Sequence, residues 1–234
     1  MFSRIRTKSI AVGVAAVTVA GGAYGIVSAT SSGGSTNAAS TAFAGGPKAG
    51  GGSNARSGPA AGGAVGTISS TSTSGFTLST SAGQKVTVNE ASATAYKKGT
   101  SSISPSAVTT GEPVLVLGTT SGTTITATQV IVQPAGGTSA GTSTAAQVVP
   151  FQQGSPSTAK QIGQIPADYS EGSGTIVSGT VANKATEAAL AAYPGGVVDR
   201  VVKLSNGEYE VHNIGVNWPH HVFVSQDYKV VGAE

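Results

Sequence analysis

Five short runs in the middle of the chain set the terms for its fold. GTISSTST, GFTLSTS, QKVTVNE, PVLVLGTT and TITATQVIVQ each place Thr, Val, Ile or Leu at alternate positions. A period of two is that of a strand with one face turned inward. Ser74-Gly75, Ala82-Gly83 and Ser121-Gly122 separate the runs as tight turns. Short strands at this spacing predict a small all-β barrel or sandwich over residues 64–134.

The flanking segments have little to bury. Residues 30–63 hold almost no large apolar side chain, and residues 135–174 combine Gly, Ala, Ser and Thr with Pro150, Pro156 and Pro166. Such stretches cannot offset the entropy of ordering a chain, and both are expected to be disordered linkers. Val148, Val149 and Phe151 are the exceptions, expected to dock locally. Aromatics make up 5% of the 234 residues and glycine accounts for 34 of them. That scarcity argues against one large core and for two small domains.

The composition changes after Ala167, where eight of the ten acidic residues lie. TVANKATEAALAAYPGG predicts a helix from Val181 to Tyr193, with Thr180 as N-cap and Pro194-Gly195 as its stop. Val181, Ala185, Ala188, Ala189 and Ala192 would form its apolar face. VVDRVVKL and EYEVHN read as strands about Asn206-Gly207, a two-residue hairpin signal, and HHVFVS and KVVG as two more. The expectation is mainly β, with one α+β domain at residues 175–234.

The first 29 residues carry an export signal. Basic MFSRIRTKS precedes an uncharged, mostly small or apolar stretch at residues 10–29, and Val27-Ser28-Ala29 suits a signal peptidase. Uncleaved, the same stretch would anchor the chain in a membrane. Either way the remainder is expected outside the cytoplasm. The formal charge of +3 also traces to this end: without Arg4, Arg6 and Lys8 the basic residues number ten, against ten acidic. No Lys/Arg stripe remains to bind nucleic acid. With no cysteine, disulfides, thiol chemistry and Cys-based zinc sites are excluded.

Two resemblances refine this outline. Gly66-Thr67-Ile68, Val86-Thr87-Val88, Gly111-Glu112-Pro113-Val114-Leu115-Val116-Leu117-Gly118 and Ala127-Thr128-Gln129-Val130-Ile131-Val132 resemble the strand pattern of an uncharacterised family of exported bacterial domains. That implies an OB-like barrel. The helix ending in Tyr193-Pro194-Gly195-Gly196, followed by Val197, Val201-Val202, Gly207-Glu208-Tyr209-Glu210-Val211 and Asp227-Tyr228-Lys229-Val230-Val231-Gly232, resembles the PepSY domain. It implies a cystatin-like helix packed on an antiparallel sheet, no catalytic residues, and contact with other proteins, among them secreted peptidases. No peptidase domain follows in this sequence, so a peptidase is expected as a separate partner. IGVNWPHH departs from the shorter polar turn of many relatives.

VHNIGVNWPHHVFV holds all three histidines and the one tryptophan. A two-residue Asn206-Gly207 turn would pair Leu204 with Tyr209, Lys203 with Glu210, Val202 with Val211 and Val201 with His212. Val202, Leu204, Tyr209 and Val211 would then face the helix, and His212, Glu210 and Lys203 would face out. Arg200 fits that register poorly and is expected at the sheet edge. His221 and Phe223 would join His212 outside, with His220 on the core side. The candidate binding residues are Trp218, His220, His221 and Tyr209. Trp218 either anchors a partner or fills the core. His212, His221 and Glu210 are the ligands an alternative divalent-metal reading requires. No GxSxG, HExxH, Walker or GxGxxG pattern is present, so neither catalysis nor a cofactor is expected. The leading expectation is a non-enzymatic, exported interaction protein of the bacterial envelope. A purely structural surface protein is the third alternative.

Overall fold

A computed structural model describes residues 58–134, 148–155 and 160–234. The export segment and most of the first linker lie outside these residues. Among the described residues no helix is long and apolar enough to cross a membrane.

The first half is a closed five-stranded barrel. Its strands are β1 (Ala60–Ser72), β2 (Gly75–Ser79), β3 (Lys85–Lys98), β5 (Pro113–Ser121) and β6 (Thr124–Val132). A two-residue strand β4 (Ser101–Ser102) pairs with the end of β3. The order β2-β3-β6-β5-β1 closes through β1 on β2, so no long edge stays open. All five alternating runs fall on these strands. Inside lie Ala64, Ile68, Leu78, Val86, Val116 and Ile125, all essentially buried.

PVLVLG is apolar at every position because β5 is covered on both faces. Val114 and Val116 point into the barrel, while Leu115 and Leu117 point out of it into a second core. That second core forms around α1 (Gly179–Ala192), which touches β1 and β5 of the barrel as well as the C-terminal sheet. The helix starts two residues before the expected Val181. Ser178 is its N-cap and makes no side-chain cap bond. Ala182, Ala185, Thr186, Ala189 and Leu190 form the buried stripe at helical spacing; Val181, Ala188 and Ala192 flank it.

The remaining strands are β7 (Val149–Pro150), β8 (Ile162–Gly163), β9 (Thr175–Ile176), β10 (Val197–Lys203), β11 (Tyr209–Ile214), β12 (Val216–Trp218), β13 (His221–Val224) and β14 (Val230–Ala233). β10, β11, β13 and β14 make an antiparallel meander. The meander continues the barrel sheet: β10 pairs with β1 at Val198–Gly63 and Val197–Ala64. All the described residues belong to one compact unit.

Two boundaries therefore differ from expectation. Ala60–Gly63 already belongs to β1, because small residues are what this crossing admits. A Cβ on Gly62 would run into Val198 O, and one on Gly63 into Val116 O. Within the second expected linker, β7 pairs with β12 and β8 with β14. Short runs of ordinary residues at sheet edges carry no alternation long enough to read.

Candidate functional site

The site begins with the hairpin between β10 and β11. Its loop has three residues, Ser205, Asn206 and Gly207, not two. Leu204 N donates to Glu208 O, Gly207 N to Leu204 O, and Gly207 takes a positive φ of 86°. Asn206 Oδ1 accepts from Glu208 N at 3.0 Å. This turn with a left-handed glycine is the three-residue alternative to the type I′ hairpin. One added loop residue shifts the register by one, and Lys203 faces Tyr209, Val202 faces Glu210, Val201 faces Val211 and Arg200 faces His212.

The shift reverses several expected orientations. Val201, Tyr209 and Val211 face the helix, whereas Val202 and Leu204 face the opposite side. Lys203 and Glu210 lie on different faces and are not a cross-strand pair. Arg200 is not at a wet edge: its side chain is 6% exposed. A β-bulge between Val198 and Arg200 inserts Asp199 as the extra residue of β10. Its carboxylate accepts from His212 Nδ1 at 2.6 Å and lies 3.5 Å from Arg200 Nη1.

The second face of the meander is covered by residues 160–176, which cross it as a strap. Ile165, Tyr169 and Ile176 pack on Val202, Leu204 and Phe223. The Tyr169 ring meets Phe223 edge-on at 4.7 Å, and its hydroxyl lies 2.7 Å from His221 Nδ1. Gln161 Nε2 donates to Glu234 Oε2, Gln164 N to Val231 O, and Ser205 Oγ to Asp168.

Beneath the strap lies a cluster of charged and titratable groups. His221 Nε2 is 3.7 Å from Glu210 Oε1, and His221 Nδ1 is 3.5 Å from Glu234 Oε1. Glu210 is 1% exposed; its Oε2, like Arg200 Nε and Nη2, has no hydrogen-bond partner. Burial raises the Glu210 carboxyl above its ordinary value, opposed by Arg200 and His212. Burial, then the neighbouring His212, lowers His221, against the pull of Glu234 and Glu171. Burial also raises the Tyr169 hydroxyl, with Glu210 and Glu234 adding to it.

The expected site residues thus divide. His212 and His221 share the second face with Glu210, as the alternation required, and their rings are 5.2 Å apart. His220 is exposed, not on the core side. It precedes β13 and escapes strand alternation, and its ring stands 6.4 Å from His212. Among the described residues no group of three or more His, Asp or Glu side chains is placed to hold a metal ion.

Trp218 points into the fold. It is 1% exposed, meets Tyr193 edge-on at 5.5 Å and donates from Nε1 to Lys160 O at 2.6 Å, while Lys160 Nζ sits 4.7 Å from its ring centroid. It cannot serve as an exposed anchor. Tyr209 is also buried, its ring stacked on Tyr228 at 5.7 Å. The exposed large apolar side chains among the described residues are instead Val149 and Phe151, at 36% and 56%. They flank Pro150 on β7, which is paired with β12 through Val216 and Trp218. The expected local docking holds for Val148, which packs on the second core, and not for Val149 and Phe151. Compared with protein-family models, curated proteins and solved structures, the chain gives no significant match.

Proposed function

We propose that this chain is a non-enzymatic, exported protein of the bacterial cell envelope, and that its C-terminal half is an interaction module. The partner class is a secreted or envelope peptidase held in restraint, as the PepSY resemblance implies. The observation that carries the reading is the Val149-Pro150-Phe151 ridge. Val149 is held on β7 by its pairing with β12, and Phe151 follows directly after that strand. Exposed apolar side chains so placed form a pre-organised contact, and aromatic residues supply much of the energy at protein interfaces. The basic, then apolar N-terminus and the lack of catalytic motifs support the same reading from the sequence.

The test uses the purified chain against the secreted peptidase fraction of its own source. Wild type slows proteolysis and Phe151→Asp loses that effect. A photo-crosslinker at position 151 then joins the chain to a peptidase. Unchanged proteolysis, with crosslinks only between copies of this chain, would sink the proposal.

A further inference from the structure

The strap is held by groups whose bonding depends on their protons. Tyr169 enters the buried cluster from the strap, and its hydroxyl meets a ring nitrogen of His221. A tyrosine hydroxyl held above its ordinary range keeps its proton and donates it. The neutral His221 ring then accepts at Nδ1 and carries its own proton on Nε2, toward Glu210 Oε1. A second proton on His221 would sit on Nδ1. That nitrogen could then no longer accept, and the Tyr169 bond would have to reverse inside a buried site. It would also add a cation beside His212 and Arg200.

We propose that residues 160–176 form a pH-controlled cover, latched by the Tyr169 hydroxyl on neutral His221 and released when that imidazole takes a proton. Release uncovers Val202, Leu204 and Phe223. The cover's other attachments are two-residue pairings of β8 on β14 and β9 on β10, side-chain bonds at Gln161 and Asp168, the Lys160 carbonyl bond to Trp218, and the packing of Ile165 and Ile176. Local openings of segments with such short pairings fall at the low end of the stability range. The inference stands on the Tyr169–His221 contact and does not rest on the existence of a partner.

Burial first, then His212, holds His221 neutral against several carboxylates among the groups that face it. Those groups are His212 and Glu210 from β11, Asp199 and Arg200 from β10, Glu171 and Tyr169 from the strap, and Glu234 beyond β14. The covered state favours neutral His221. The latch is therefore complete above the ordinary histidine value of about 6.5 and weakens as pH falls below it toward the lowered value. Glu210 works the other way. Its raised carboxyl favours the covered state when protonated, a contribution present below the ordinary carboxyl range and lost as pH rises through the raised value.

Hydrogen exchange of the full chain, corrected for the intrinsic effect of pH, reads the cover directly. Between about pH 7.5 and about pH 5, the amides of residues 160–176 should speed by about tenfold, the loss that one unit of pH below the ordinary histidine value of about 6.5 accumulates while covered His221 stays neutral. The barrel amides of Val86 and Val116 should not change. Trp218 emission should shift over the same range, because its Nε1 bond to Lys160 O belongs to the strap. His221→Gln, whose amide oxygen can still accept from Tyr169, should abolish the dependence. Glu210→Gln should keep it, and Tyr169→Phe should leave the strap fast at every pH. A flat wild-type profile overturns the proposal. So does an unchanged profile in His221→Gln or Tyr169→Phe, or equal acceleration of the barrel amides.

Discussion

Gly62 and Gly63 have no alternation to betray a strand, yet they lie where the barrel sheet crosses into the meander. The physical cause is the absence of a side chain. Gly62 has Val198 O and Thr120 Oγ1 where its Cβ would go. Gly62→Ala should therefore destabilise by about 1–3 kcal/mol, the usual cost of overpacking. Gly58→Ala, with nothing near its Cβ, should stay within about 0.5 kcal/mol of wild type. Chemical denaturation of both variants measures the difference. Burial also governs the tyrosines. Tyr96 is pushed up to about 12, by burial first and Glu90 second; burial raises Tyr193, and burial and Tyr228 raise Tyr209. The fold favours their protonated forms, so this stability is full below the ordinary value of about 10 and is lost as pH rises through the raised values. At about pH 11 the native chain should show less tyrosinate absorbance than the unfolded chain. Equal absorbance would contradict the burial. None of these positions was legible in the sequence, because a neighbour's identity does not follow from the residue itself.

At the scale of elements, the strands of the barrel were readable and the hairpin register was not. Five alternating runs became five barrel strands because each has a solvated or a helix-covered outer face and a single inner core. Asn206-Gly207 was a correct hairpin signal that did not fix the loop length. Both a two-residue and a three-residue loop use a glycine with positive φ, and they differ by one residue of register. That residue decides whether Glu210 stands opposite Lys203 or Val202, and the strap over that face is what buries it. Gly207→Ala should cost about 1 kcal/mol, since the new side chain must adopt a φ of 86° and meet Gln226. Asn206→Ala should cost about 0.5–1.5 kcal/mol by removing the bond to Glu208 N. Thermal unfolding reads both; a neutral Gly207→Ala would argue against this loop. The strap shows why the site itself was only half visible. His212, His221 and Glu210 fall together by alternation within strands. Tyr169, which covers them, is 52 positions from His221 and sits in a segment with no period at all.

At the scale of the molecule, the two halves are joined by more than a linker. Leu115 and Leu117 leave the barrel wall to meet α1, Val197 enters the barrel core from β10, and β1 pairs with β10. Each half therefore buries part of its apolar surface on the other. An area effect of about 25 cal/mol per Å² makes such shared burial costly to remove. Unfolding should be cooperative. Trp218 emission, which reports the C-terminal half, and far-ultraviolet circular dichroism, dominated by strands of both halves, should give coincident transitions in denaturant. Residues 58–134 alone would present Leu115, Leu117 and the exposed edge of β1 to water. That fragment should bind an apolar dye and associate, as open apolar edges do. Restoring residues 135–234 in the same chain should suppress both effects. A fragment that stays monomeric and dye-free, with barrel amides protected as in the full chain, would mean that the joined sheet contributes little to stability and that the halves are held together only by their connection.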